Sequence, residues 1–477
     1  MKGQTRFNFF VVSVICAILL PQLFREGMFM DGELYAAVSV NYARGEGTFW
    51  APHFSKITMS FFHEQPPLLF GMLGTCFKVF GEHLLVERFY SLMMFMLTLL
   101  VFLSLWKLIF RQHDWLIRWR WMAVLIWVMI PNTTWVVIHN LEENTMGFFV
   151  ILSVYCQVKI GSLKSKSLAI LFSLLAGCCL FLAFLTKGFP GLFPISVLPF
   201  GFLIFRESFI PLKRSVLCFV MILCTLFVLL TLSFSAEPSS AQLNAWLFDR
   251  VLNSISNVSN TSHRFEILLD LLMQLLPVFI LFPILLALKK WKGAKKIPLS
   301  SDIKKYAYFF LLLAASGSLP LIVTREQRGF YLATSHPYYA FFFTILLSSF
   351  FTSLDSAYWK NSLGSALKFV PQLTLLVSLS LMLYFKTSPK RDPEKWHDIN
   401  SITKVLPYGS YLVYRGDMWN DWELQTGLIR KKYVSLTSDS TKSDYLITTA
   451  SQNTRINNKE YNKLNSGYLY YNVYKKK

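Results

Sequence analysis

The sequence predicts an all-α polytopic membrane protein of about eleven spans, ten to thirteen at the outside, with a small soluble α+β or α/β domain at its end. Three observations predict it. Of 477 residues, 54% are apolar and 16% charged, a balance rare in soluble domains. The apolar residues gather in runs of membrane length rather than in amphipathic periods. Past residue 385 the composition changes to short runs rich in Tyr, Val, Leu and Thr, broken by turn residues.

The expected spans cover 7–24, 88–110, 121–139, 144–158, 167–186, 189–205, 215–235, 267–288, 305–323, 337–353 and 369–385. The first follows Lys2 and Arg6 in the manner of a signal peptide. No small-x-small site follows it, and Pro21-Gln22-Leu23-Phe24-Arg25 suits cleavage poorly, so it reads as an uncleaved span. Residues 67–80 are also apolar, but fourteen helical residues reach only about 21 Å of a hydrocarbon core about 30 Å thick. This segment is expected to lie along the membrane or re-enter it within an external loop, 25–87.

Basic residues set the orientation. With 67–80 not crossing, loops 111–120, 159–166, 206–214, 289–304 and 354–368, with Lys305, hold eighteen Lys and Arg. The opposite short connections hold five: Lys187, Arg250, Arg264, Arg325 and Arg328. The positive-inside rule then places the N-terminus in the cytoplasm and both loop 25–87 and the tail outside. The formal charge of +20 reflects such loops and lipid headgroups rather than nucleic acid. Seven Cys, at 16, 76, 156, 178, 179, 218 and 224, lie in apolar segments without metal-type spacing. They read as core residues, with no disulfide framework.

Residues 1–385 are thus expected to form a transmembrane domain and 386–477 a separate soluble one. Strands are predicted at Ser410–Arg415, Lys432–Leu436, Tyr445–Thr449 and Tyr468–Tyr474, with a helix over Asp421–Arg430. No catalytic motif appears in the tail. Ser235–Ser262 is a polar external loop with Asn-x-Ser/Thr sequons at Asn257 and Asn260.

The candidate chemistry lies in loop 25–87, which reads Asp31-Gly32-Glu33-Leu34-Tyr35-Ala36, then Phe62-His63-Glu64-Gln65-Pro66-Pro67, then Val86-Glu87-Arg88. Carboxylates beside a bilayer are costly unless they serve a function. A hydroxyl or phosphate attacking the anomeric carbon of a sugar needs a carboxylate to take or align its proton. Asp31 also suits a helix N-cap. The two prolines hold the chain extended just after Glu64. A metal site from His53, His63 and Glu64 has no recognised ligand spacing, and no metal is expected to be required.

These residues carry a resemblance. The two motifs, with Gly47-Thr48-Phe49-Trp50-Ala51-Pro52-His53-Phe54 between them, resemble the first external loop of family-39 glycosyltransferases. That family comprises the dolichyl-phosphate-mannose protein mannosyltransferase type and a bacterial branch related to the lipid A aminoarabinose transferase. Phe80-Gly81 to Val86-Glu87-Arg88-Phe89-Tyr90-Ser91, Leu185-Thr186-Lys187-Gly188-Phe189-Pro190-Gly191, and Arg328-Gly329-Phe330-Tyr331 to His336-Pro337-Tyr338-Tyr339 match in the same order. The likeness covers roughly the first 350 residues and is densest in the first 200.

The resemblance implies a GT-C-type fold and a catalytic pair, Asp31 and Glu64. It implies a polyprenyl-phosphate sugar donor, undecaprenyl phosphate in a bacterium, and an envelope acceptor: a glycolipid such as lipid A, a glycan or a protein. Relatives often carry Asp-Glu where this chain has Asp31-Gly32, which leaves Glu33 unassigned. Gln65 stands where Lys is frequent, which removes a phosphate contact that His63 could replace. Glu143 matches an acidic position of the relatives. Lys187, between helix and glycines, suits a lipid phosphate. Arg325 and Arg328, one turn apart if helical, and His263-Arg264 are further cations, with lipid-facing snorkelling as their ordinary alternative. Tyr35, Tyr331, Tyr338 and Tyr339 are expected in the cavity wall or the aromatic belt, with belt or core the ordinary reading in a chain of 16% aromatics. The active site is then expected at the outer face of a bacterial inner membrane. The rivals are a transporter or flippase of lipid-linked sugars, which favours acids deep in spans, and an oligosaccharyltransferase, whose Trp-Trp-Asp signature is missing.

Overall fold

The structure is a computed structural model and describes residues 2–253, 261, 263–292, 299–358, 363–386, 388–449, 460–464 and 467–477. The sequons at Asn257 and Asn260 lie outside the described residues, as do parts of loops 289–304 and 354–368. Each of the eleven expected spans coincides with helix. Among the described residues eight helices are long and apolar enough to cross a membrane. A ninth span arises if Arg120–Met129 and Pro131–Ile138, bent by 74°, are taken as one. Pro131 marks the break, as a ring without an N–H does inside a helix.

The chain divides into two compact units. The first comprises Met1–Leu20, Ser91–Ile138 and Glu142–Leu381 and holds most of the spans. Its core is aromatic: Phe341 contacts Phe102, Trp106 and Phe310 edge-on at ring separations of 4.5, 5.0 and 4.7 Å. Small residues bring helices close where lipid offers no hydrophobic drive. At Gly177 a β-carbon would meet Ile222 O at 2.9 Å, so Lys166–Lys187 and Leu212–Ser235 touch nearly backbone to backbone. Gly188, at φ 78°, ends the first of these helices where other residues are strained.

The second unit comprises Pro21–Tyr90, His139–Leu141 and Met382–Lys477. Loop 21–90 therefore folds with the C-terminal domain, a division that cuts across the expected boundary at 385. Helices Met30–Arg44 and Leu68–Phe80 pack through Gly74, where a β-carbon would meet Ser39 O at 2.8 Å. The thirteen-residue Leu68–Phe80 is the short apolar segment expected not to span.

The tail holds a mixed five-stranded sheet in the order β2-β1-β3-β5-β4. Its strands are β1 (Tyr411–Tyr414), β2 (Ser435–Thr437), β3 (Tyr445–Thr449), β4 (Tyr461–Lys463) and β5 (Tyr471–Lys476). β1 runs parallel to β2 and β3, and β5 antiparallel to β3 and β4. Helices Pro393–Val405 and Trp422–Lys432 supply Trp396, Ile399, Leu424 and Leu428 to a core shared with Leu412, Ile447 and Val473. Buried Asp398 accepts from the N–H groups of Leu469, Tyr470 and Tyr471 at 2.9, 2.7 and 2.8 Å, which fixes the start of β5.

Candidate active site

Asp31 lies in the first turn of Met30–Arg44, half-buried. It is not the N-cap that its sequence suggests: Phe29 occupies that position without a side-chain cap. The carboxylate that serves the helix start is Glu33, whose Oε1 accepts from Met28 N–H at 2.6 Å. This ties the residue just before the N-cap to the first turn of the helix. Burial, with Glu87 close by, pushes the Glu33 carboxyl up to about 7. Gly32 lies so near the carbonyl of His139 that a β-carbon would fall 2.0 Å from its oxygen, which seats the helix start directly against that turn.

Glu64 is half-buried in the non-helical segment before Pro66 and Pro67, and its loop is gripped from two sides. Asn41 Nδ2, on the Met30–Arg44 helix, donates to His53 O and Phe54 O at 3.0 and 2.6 Å. From the tail, Tyr433 OH meets His53 Nε2 at 2.6 Å and Gly409 O accepts from Lys56 Nζ at 2.6 Å. Ser435 Oγ accepts from Lys56 N–H at 3.1 Å. Phe54 and Phe62 are fully buried beneath. His53 Nδ1 contacts Ser60 O at 2.7 Å and His63 Nδ1 contacts Phe61 O at 3.0 Å, so both imidazoles brace the loop. Tyr35 is buried with its ring 5.8 Å from that of Phe70.

Behind these residues, in the same unit, lies a charged cavity of about 210 Å³ lined by Glu26, Glu33, Glu82, Glu87, Arg430 and Lys431, among others. Three of its acids are paired: Glu87 with Arg430 Nη2 at 3.2 Å, Glu26 with Lys431 at 2.8 Å, Glu82 with Arg44 at 2.6 Å.

In the first unit, Lys187 closes its helix with its ammonium against two carboxylates, Glu143 at 2.8 Å and Glu142 at 3.3 Å. The Tyr331 ring lies 4.8 Å from Nζ and the Phe330 ring 5.8 Å. All three charged side chains are buried. Lys187, Glu143 and Tyr331 are therefore brought together with a second acid, Glu142, whereas the sequence offered Lys187 as a contact for a phosphate and Glu143 as a separate acid. Arg325 and Arg328 do not share a helical turn: the chain is irregular from Thr324 to Arg328. Both are exposed, and Arg325 Nη2 donates to Thr261 O at 3.2 Å. Arg264 is exposed, its carbonyl accepting from Gln327. Tyr338 is wholly buried and Tyr339 OH bonds Ser318 Oγ at 2.8 Å, so both belong to the core rather than a belt.

No family model matches the chain, and no curated protein does. Solved structures do. ArnT from Cupriavidus metallidurans bound to undecaprenyl phosphate superposes with a TM-score of 0.64 at 13% identity, over 98% of this chain and 97% of that one. The chain has the ArnT fold. The apo state of the same protein gives a TM-score of 0.62 over 98% and 96%. The Archaeoglobus fulgidus oligosaccharyltransferase tethered with an acceptor peptide gives 0.51 at 10% identity, over 93% of this chain and 69% of that one. This GT-C-type architecture agrees with the fold that the loop motifs implied.

Within this ArnT-type fold, sequence reasoning missed Glu142, Glu33, Glu87 and Arg430. Glu142 was signalled only by standing beside Glu143. Glu33 and Glu87 were visible as acids near a membrane, but their partners lie up to 343 residues away.

Proposed function

We propose that this protein is an integral-membrane glycosyltransferase that moves a sugar from a polyprenyl-phosphate donor to an envelope acceptor, a glycolipid, glycan or protein, at the outer face of the inner membrane. The observation that carries the reading is a full-length ArnT fold in which Asp31 and Glu64 stand in the matching loop motifs and that loop is rigidly clasped. ArnT has been seen with undecaprenyl phosphate bound, which supports a lipid-phosphate donor here.

In the proposed reaction the acceptor hydroxyl attacks the anomeric carbon and Asp31 takes its proton. The bond from that carbon to the phosphate oxygen breaks, the polyprenyl phosphate leaves with the electron pair, and configuration inverts. Glu64 orients sugar or acceptor, its position set by the prolines after it. Lys187 is assigned a different part from the phosphate contact expected of it. Held at 3.3 and 2.8 Å from Glu142 and Glu143, its ammonium is already engaged by carboxylates rather than open to a phosphate. The cluster suits the hydroxyls of a sugar. No metal is invoked, and among the described residues no group of three His, Cys, Asp or Glu could hold one.

Purified protein mixed with labelled polyprenyl-phosphate sugar and an envelope extract tests the reading. Transfer is expected, falling roughly 10²–10⁴-fold in Asp31→Asn, the range of a lost general base. Unchanged transfer in the variant removes Asp31 from the mechanism, and no transfer by the parent protein refutes the activity.

A further inference from the structure

Three polar side chains converge on one glycine within the first unit. Asp270 and Gln274 stand one turn apart on helix Glu266–Lys292, where residues at this spacing are neighbours on one face. Asn132 lies in the first turn of helix Pro131–Ile138, directly after the 74° bend. All three meet at Gly329. A β-carbon there would fall 3.0 Å from Gln274 Nε2, 3.1 Å from Asp270 Oδ2 and 3.3 Å from Asn132 Nδ2. The glycine belongs to the Arg328-Gly329-Phe330-Tyr331 motif, and its missing side chain leaves these polar atoms grouped over bare backbone.

The niche is firmly held but only partly used. Gln274 Nε2 donates to Gly329 O at 2.9 Å. Gln327 fastens the preceding chain to the start of the Asp270 helix. Its Oε1 accepts from Ile267 N–H at 3.0 Å, and its Nε2 donates to Arg264 O and Thr324 O at 2.7 and 2.8 Å. Other hydrogen-bonding capacity stays open. Gln274 is 8% exposed, yet its Oε1 has no hydrogen-bond partner, and a buried oxygen left so is costly. Among the described residues the Asp270 carboxylate joins no hydrogen bond or ion pair, and the Asn132 amide no hydrogen bond. Asp270 lies one turn inside the candidate span Glu266–Ile284, where an ionisable side chain marks a site or a cavity. A broken helix at membrane depth, like the one that carries Asn132, is also where transporters of the bilayer bind their substrates.

The open groups suit hydroxyls. The carboxylate and the Gln274 oxygen accept, and the Asn132 amide both donates and accepts, as a hydroxyl does. A phosphate would be repelled by the carboxylate, and an ammonium would leave the Asn132 donors idle. Trp135, one turn after Asn132, is half-buried with its ring 5.4 Å from that of Phe330. It adds the aromatic surface that small-molecule sites set beside a few placed polar groups.

We propose that Asp270, Gln274 and Asn132 form a hydroxyl-binding subsite for a sugar ring, seated over Gly329. The assignment rests on reading the protein as a sugar transferase. Sugar hydroxyls are common to a lipid-linked donor and a glycolipid acceptor, so the test separates the two.

Native mass spectrometry of the full-length protein in detergent compares retention of undecaprenyl phosphate with that of undecaprenyl phosphate carrying a hexose, a pentose or an aminopentose, and separately of lipid A. The parent is expected to prefer a sugar-bearing probe. Asp270→Ala and Asn132→Ala are each expected to lower that preference roughly tenfold, with retention of bare undecaprenyl phosphate and Tm unchanged. Asp270→Asn, which keeps one acceptor oxygen, is expected to restore part of it. Loss confined to the undecaprenyl-phosphate sugars assigns the subsite to the donor, and loss confined to lipid A assigns it to the acceptor. Unchanged preference in both alanine variants overturns the subsite and leaves the transferase reading standing. A lowered Tm with equal loss of the bare lipid makes the residues structural and also overturns it. Absence of transfer by the parent, with the Asp270-dependent preference intact, refutes the transferase and leaves the subsite.

Discussion

Three buried acids make two opposite demands on their surroundings. Glu142 and Glu143 both pair with Lys187, and removing one partner of a buried ion pair leaves the other uncompensated. Lys187→Met is therefore expected to destabilise the protein by about 3–5 kcal/mol, read as a lower thermal midpoint in detergent. Glu143→Gln on that background is expected to recover part of the loss. Glu33 has no cation so close and accepts a backbone N–H instead. Its carboxyl is raised from 4.5 to about 7, so between those values the folded protein binds more proton than the unfolded chain. Stability then falls as pH rises through that window and levels off above it. Glu33→Gln keeps the acceptor and removes the charge, so its thermal midpoint is expected to show a flatter pH dependence and to exceed the parent's above pH 7.

At the scale of elements, the tail domain acts as a clamp on the loop that carries Asp31 and Glu64. Arg430, on helix Trp422–Lys432, binds Glu87 through Nε and Nη2 at 3.3 and 3.2 Å and Glu82 O at 3.2 Å. Arg430→Met strands Glu87 and is expected to expose loop 46–65 to protease before the spans unfold, which limited proteolysis with mass mapping will show. Four of the strands were legible in the sequence because Tyr, Val, Leu and Thr cluster between turn residues. The three-residue β4 has too few side chains to leave a pattern. Helix Pro393–Val405 was missed although Trp396, Ile399 and Ile402 recur three apart, because the polar residues between them read as linker. The clamp itself was not legible. It joins lysine, tyrosine and backbone carbonyls some 350 residues apart, and hydrophobic periodicity carries no trace of such contacts.

For the whole molecule, hydropathy located each of the eight helices that are long and apolar enough to cross a membrane among the described residues, since a membrane-crossing segment must be apolar along its length. Orientation rests on charge counts and is open to direct test. A single cysteine at Ile57, 38% exposed in the clasped loop, placed in a cysteine-free background, is expected to react with an impermeant thiol reagent added outside intact cells. Labelling from the cytoplasmic side alone would reverse the topology and move the proposed chemistry with it. The seating of the Asp31 helix sets a last limit. Because the residue after Asp31 has no side chain, the helix rests flush on the His139 carbonyl, and the depth of the carboxylate follows from that missing atom. The double-acid version common among the resembling transferases therefore cannot be grafted into this scaffold without a shift: a chimera with Gly32→Glu has to lift the first turn off the His139 carbonyl, carrying the Asp31 carboxylate away from the place in which it is proposed to act.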